Sequence, residues 1–108
     1  MRIGEIILIP FPFSELYKTK VRPAVVITET KDKYQDLVVS AISSVVPKKI
    51  SEREFIIVAG NTNNLRVNSI VKTDRIVTVK RNEMIAALGK LTDEELQRFK
   101  SILSEMIR

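Results

Sequence analysis

Short apolar segments alternate with polar turns through the first 80 residues, and this pattern predicts a succession of β-strands. The segments are rich in β-branched residues and are shorter than typical helices. Turn-forming residues interrupt them at Pro10, at Pro47 and at residues 60–64. The predicted strands cover residues 4–9, 22–29, 36–43, 54–58 and 69–79. A polar interruption at residues 72–75 favours a bend or bulge in the last strand, with Asp74 and Arg75 paired to each other or to a neighbouring strand.

One amphipathic helix is predicted near the end of the chain, at about residues 93–107. Thr92 is a suitable N-cap and Glu95 follows three residues later, which is the capping-box pattern. Leu91 and Leu96 have the spacing to pack together around that cap. The apolar face expected to pack on the sheet comprises Leu96, Phe99, Ile102, Leu103, Met106 and Ile107. Strands followed by one helix predict a mainly β fold, a small bent antiparallel sheet or partly open barrel, in a single domain of residues 1–108.

Composition limits the chemistry that the chain can perform. Eighteen basic and thirteen acidic residues give a net charge of +5, which favours a polyanionic partner such as nucleic acid. The sequence contains neither histidine nor cysteine, which excludes thiol nucleophiles, imidazole catalysis and metal sites built on imidazole or thiolate. No apolar run approaches the ~20 residues of a membrane span. A cytoplasmic location is the expectation.

Two polar residues at the ends of apolar strands form the candidate site. Arg22 opens the second strand, where Pro23 favours extended backbone for the residue before it, and Ser43 closes the third strand. If these strands pair antiparallel, the start of one lies beside the end of the other, so Arg22 and Ser43 should meet. A guanidinium beside a hydroxyl is suited to binding a phosphodiester. The plainer interpretation of Arg22 is a surface arginine beside an edge strand.

Sequence blocks spread over nearly the whole chain resemble the MazF/PemK toxin family. They occur in the family's order at residues 4–7, 10–11, 20–27, 40–44, 69–76 and 89–91, and the Arg-Pro-Ala strand opening at residues 22–24 is the most specific of them. The resemblance implies an SH3-like barrel that acts as a homodimeric, metal-independent endoribonuclease on single-stranded RNA, without a cofactor. It also implies a cognate acidic antitoxin, in complex with which the toxin binds DNA. The family's catalytic arginine and strand-end threonine match Arg22 and Ser43, with serine replacing the commoner threonine.

Further RNA contacts are expected, mainly in the loop between the first two strands. Lys18 and Lys20 are candidates for binding phosphate and Tyr17 for stacking on an unpaired base. Ser14 and Ser44 complete the set of candidate RNA-binding residues. A loop whose charges are simply solvated is the alternative interpretation of the two lysines.

The residue inventory is compatible with RNA cleavage, because RNA supplies its own nucleophile, the 2′-OH. The protein has only to orient that oxygen and to stabilise charge on the phosphate. The expected products are a 2′,3′-cyclic phosphate and a 5′-OH end. Two other functions are compatible with the same fold: a toxin that poisons DNA gyrase by protein–protein binding, and a non-catalytic nucleic-acid-binding barrel.

Overall fold

The computed structural model describes residues 1–11 and 20–108, and in these ranges the chain forms six strands, one 3-10 helix and one α-helix. In chain order the elements are β1 (Glu5–Phe11), β2 (Lys20–Glu29), β3 (Leu37–Ser43), β4 (Glu54–Ile57), β5 (Ser69–Val79), the 3-10 helix (Arg81–Glu83), β6 (Ala86–Lys90) and α1 (Asp93–Met106). The five predicted strands and the helix are confirmed, with ends shifted by at most two residues. The sequence pattern does not predict β6 or the 3-10 helix.

All neighbouring strands pair antiparallel, in the order β4–β5–β3–β2–β1–β6. The sheet curls into a half-barrel, which brings the turn after β4 to the opposite outer strand, β6. There the backbone N–H of Lys90 donates to the carbonyl of Thr62 at 3.0 Å. Gly89 permits this close approach, since a Cβ on it would lie 2.1 Å from the Thr62 oxygen. The mainly β, partly open barrel with a C-terminal helix is therefore confirmed.

Prolines lie inside two strands, where the sequence predicts strand ends. β1 continues for one residue past Pro10, and β2 begins three residues before Pro23. Both prolines occupy stretches that are paired on one side only: Leu8 is the last β1 residue paired with β6, and the pairing of β2 with β3 begins at Ala24. Proline is tolerated within a strand where one side of the strand is unpaired, because a missing N–H on that side costs no hydrogen bond of the sheet.

Apolar side chains form two buried clusters, because successive residues of a strand point to opposite faces of the sheet. The first cluster includes residues of α1 and comprises Ile6, Val25, Ile42, Phe55, Ile57, Val71, Leu91, Phe99 and Ile102. The second comprises Ile7, Ile9, Ala24, Val26, Leu37, Val39, Ala41 and Val79. Side chains of this cluster occupy every second position along β2 and β3. Two residues beyond Ala24 and Ala41, the same alternation places Arg22 and Ser43 on the face of the second cluster.

The helix begins and packs as predicted except at its end. Thr92 and Glu95 make both hydrogen bonds of the capping box, and Phe99 and Ile102 are buried in the first cluster. Ile107 was expected on the apolar face, but it is 85% exposed because α1 ends one residue earlier. Among the described residues, no helix is both long and apolar enough to cross a membrane.

Candidate active site

The register between β2 and β3 brings Arg22 and Ser43 to the same end of the sheet. Ala24 lies opposite Ala41 in the antiparallel pair. Two residues beyond this last pair, strand alternation puts Arg22 on the face of Ala24 and Ser43 on the face of Ala41, so both lie on the same face of the sheet. The two strands thus pair as the sequence predicts. The chemical roles of the two residues stay predictions.

Both side chains line a small notch of about 130 Å³, whose wall comprises Arg22, Ala41, Ile42, Ser43, Lys72 and Arg75. Three of these six residues are cationic and, among the described residues, no carboxylate lines the notch. A liquid water molecule occupies about 30 Å³, so the notch has room for about four waters or for one phosphate group. The notch is therefore a cation-lined space of about phosphate size.

Arg22 is held partly inside the protein at the edge of the notch. Its side chain is half-buried, its Nε is enclosed, and its backbone pairs with Ile9 of β1. A guanidinium keeps its charge in proteins and presents its N–H donors in a planar fork. Strand pairing therefore fixes the backbone of Arg22, and its side chain lines the notch.

Neighbouring groups orient the hydroxyl and the lysine of the notch. The Oγ of Ser43 accepts a hydrogen bond from the backbone N–H of Val45 at 3.1 Å, which leaves its O–H to donate toward the notch. Lys72 lies opposite Ala41 in the β3–β5 pair, and its Nζ is 3.7 Å from Oε2 of Glu54. The Ser43 hydroxyl and the Lys72 ammonium are thus the two hydrogen-bond donors, and the groups that orient them belong to β4 and to the turn after β3.

A larger groove of about 530 Å³ adjoins the notch and shares Arg22 with it. Its walls are mostly apolar and comprise Leu8, Val21, Pro23, Ile42, Leu65, Val67 and Leu88, with polar atoms contributed by Arg22, Ser44, Asn64, Arg66 and Ser69. Ser44 is exposed on its wall. Lys20 is exposed on β2, and strand alternation puts it on the same face as Arg22. Ser14, Tyr17 and Lys18 lie outside the described residues.

The sequence matches one family of proteins over residues 2–107, the PemK-like, MazF-like toxins of type II toxin–antitoxin systems. The chain belongs to this family. Among solved structures, the toxin resembles an endoribonuclease in complex with its cognate antitoxin, from a mycobacterial species, with a TM-score of 0.69 and 15% sequence identity. That alignment covers 97% of this chain and 92% of the other. No curated protein sequence matches the toxin. The predicted family and fold are confirmed.

Two cations of the notch, Lys72 and Arg75, are absent from the sequence-based site. The sequence treats Arg75 as part of a structural ion pair with Asp74 or a neighbouring strand. Asp74 instead lies 3.9 Å from Arg53, with both side chains about half exposed, and Arg75 lines the notch. The signal available in the sequence is the polar break at residues 72–75, which interrupts a strand that is otherwise apolar on both sides.

Proposed function

We propose that the toxin is a metal-independent endoribonuclease that cleaves single-stranded RNA by attack of the 2′-OH on the adjacent phosphate. The observation that carries this proposal is the notch itself, where Arg22, Ser43 and Lys72 line a phosphate-sized space. Such a site can stabilise a phosphate but offers no thiol or imidazole nucleophile, so it suits a substrate that brings its own nucleophile. DNA lacks the 2′-OH and should bind without being cut.

In the proposed reaction the 2′ oxygen forms a bond to phosphorus as the bond from phosphorus to the 5′ oxygen breaks. The 2′-OH gives up its proton to water, the departing 5′ oxygen takes up a proton, and the products are a 2′,3′-cyclic phosphate and a 5′-OH end. Negative charge grows on the non-bridging oxygens, where the guanidinium of Arg22 and the ammonium of Lys72 stabilise it. The Ser43 hydroxyl donates a hydrogen bond to a non-bridging oxygen, and an Arg22 N–H also faces the leaving 5′ oxygen. Arg75 adds positive charge at the rim of the notch.

Nucleotides beside the scissile phosphate have two routes away from the notch. Along β2, Lys20 follows Arg22 on the same face and contributes a phosphate contact. On the other side, the groove offers apolar walls for a base, with the Ser44 hydroxyl at its edge. Ser14, Tyr17 and Lys18 complete the proposed RNA contacts.

The proposed partners are a second copy of the toxin and an acidic antitoxin that keeps it silent. The mycobacterial endoribonuclease forms a complex with its cognate antitoxin, and the net charge of +5 on this chain complements an acidic peptide. A disordered acidic segment that folds on binding would suit the groove, whose walls are mostly apolar. The proposed location of both proteins is the cytoplasm.

Cleavage of a long single-stranded RNA by purified protein in EDTA tests the proposal. Wild-type protein should release discrete fragments with 2′,3′-cyclic phosphate ends. Arg22→Ala and Ser43→Ala should each slow cleavage by about 10²- to 10³-fold, the usual effect of removing one transition-state donor, whereas Ser43→Thr should stay active. Arg98→Ala is the matched control, because it removes an exposed arginine of α1 far along the chain from the notch.

Either of two results would contradict the proposal. Intact RNA after incubation with a protein that is still toxic in cells would favour the gyrase-poisoning alternative. Cleavage that persists in Arg22→Ala would show that the notch is not where the reaction occurs.

A further inference from the structure

β5 carries a bulge directly beside the notch. Ser40 of β3 lies opposite Ile76, but the next β3 residue, Ala41, lies opposite Lys72. Residues 73–75 of β5 therefore have no partner residue on β3. A bulge of this kind changes the direction of side chains along a strand and recurs beside functional sites.

The bulge has a specific consequence for the two cations of β5. In a regular strand, residues three apart point to opposite faces of the sheet. Lys72 and Arg75 would then lie on opposite faces, and only one could reach the notch. Three unpaired residues reset the alternation, and both side chains line the notch. The bulge thus lets both cations of β5 line the notch, where a regular strand would supply only one.

A buried serine on the neighbouring strand holds the bulge in place. Ser40 is 0% exposed, and its Oγ donates a hydrogen bond of 2.8 Å to the carbonyl of Thr73, the first residue of the bulge. The backbone N–H of Thr73 donates to the carbonyl of Arg53 at 3.1 Å. Thr73 is therefore tied on one side to β3 and on the other to the turn before β4. Burying a hydroxyl is costly unless it makes such a bond, so this hydrogen bond favours the position of Thr73 beside Ser40.

We propose that Ser40 is a positioning residue for RNA cleavage, whose hydroxyl fixes the β5 bulge and thereby aims Lys72 and Arg75 at the bound phosphate. This role rests on the proposed endoribonuclease function. Ser40 does not line the notch and acts only through the bulge.

The first test compares Ser40→Ala with wild-type protein in cleavage and in binding. Cleavage should slow by about 10- to 100-fold, since a misplacement of about 1 Å can cost 10²-fold. Affinity for a single-stranded DNA oligonucleotide, measured over a series of salt concentrations, should show a log–log slope smaller by about 0.7 for each cation that no longer binds a phosphate. If Ser40→Ala has the same salt slope of DNA binding and the same RNA cleavage rate as wild-type protein, the proposal is overturned.

Two controls separate positioning from loss of stability. Ile102→Val trims the core at α1, away from the bulge, and should leave cleavage rate and salt slope unchanged. Ser40→Thr and Ser40→Val have nearly the same shape and differ in the hydroxyl, so the threonine variant should keep the activity that the valine variant loses. Wild-type activity in both variants would show that the hydroxyl is dispensable.

A double-mutant cycle identifies the route of the effect. If Ser40 acts through the two cations, Ser40→Ala should slow cleavage no further in a Lys72→Ala, Arg75→Ala background. Additive losses would overturn the proposal. Because the binding assay uses DNA, which the toxin should not cut, it reports on the bulge even if wild-type protein leaves RNA intact. Intact RNA after incubation with wild-type protein would refute the endoribonuclease function. A smaller salt slope of DNA binding in Ser40→Ala would still support the role of Ser40 in fixing the bulge.

Discussion

Substitution of Gly89 tests how the curled sheet is closed. A Cβ at this position would lie 2.1 Å from the carbonyl oxygen of Thr62 and 2.9 Å from the Cα of Asn63, both backbone atoms of the turn after β4. Real Cβ atoms essentially never approach other heavy atoms closer than 3.0 Å. In Gly89→Ala the turn must therefore move away from β6, because backbone cannot yield as the end of a flexible side chain does.

The displacement should break two hydrogen bonds that join the turn to β6. Lys90 N–H donates to the Thr62 carbonyl, and the Asn64 side-chain amide donates to the Leu88 carbonyl. At about 1 kcal/mol net for each bond, Gly89→Ala should lower the free energy of unfolding by about 2 kcal/mol. For a domain of this size, that decrease corresponds to a fall in Tm of about 10 °C.

Thermal and urea denaturation of Gly89→Ala and Gly60→Ala measure the effect against a matched control. Gly60 belongs to the same connection between β4 and β5, but a Cβ there meets nothing within 4 Å. Gly60→Ala should therefore be neutral or stabilising by up to about 1 kcal/mol, through the reduced entropy of the unfolded chain. Equal stability of the two variants would refute the argument that contact between this turn and β6 closes the barrel.

Two further predictions concern the helix and the turn between β2 and β3. Thr92→Ala removes the side chain that accepts from the Glu95 N–H and should cost about 1 kcal/mol of unfolding free energy in urea denaturation; Ser101→Ala, at an exposed site within α1, is the control. Hydrogen bonds from the Thr30 hydroxyl and from the N–H groups of Gln35 and Tyr34 lower the pKa of Asp32. Asp32 therefore contributes stability above its unfolded-state pKa and loses it as the pH falls through the lower folded-state pKa. Thr30→Val should raise this pKa toward its ordinary value in a carboxyl NMR titration, and an unchanged pKa would contradict the assignment.

The strands and the helix are predictable because their signals are local. The capping box at Thr92 and the β-branched runs of β2, β3 and β5 each specify an element without reference to the rest of the chain. β6 is different, since its five residues, Ala86–Lys90, include two alanines and a glycine and have weak strand preference. It is a strand because β1 offers it a partner and because Gly89 lets the turn after β4 approach, and both causes are tertiary.

The sequence predicts the part of the candidate site that depends on strand order. It does not predict the part that depends on the β5 bulge. Adjacent antiparallel strands with a short connection place Arg22 near Ser43, and the sequence contains the information needed to expect this. The positions of Lys72 and Arg75 depend on the number of residues in the β5 bulge. A polar break at residues 72–75 indicates that a bulge exists, but only the pairing with β3 shows that it contains three residues and reverses the alternation.

The arrangement makes β3 the strand on which the geometry of the whole notch depends. Ala41 lies opposite Ala24 of β2 on one side and opposite Lys72 of β5 on the other, so the two registers of β3 set Arg22 and Lys72 relative to Ser43. A slip of one residue on either side would turn a cation to the other face, and it would also bring the buried apolar residues of that strand to the wrong face. On β2 and β3, the apolar alternation that buries the second cluster therefore also sets Arg22 relative to Ser43. Burial of that cluster opposes any register between these two strands that separates the guanidinium from the hydroxyl, so the stability of this strand pair and the geometry of the proposed phosphate site have the same physical origin.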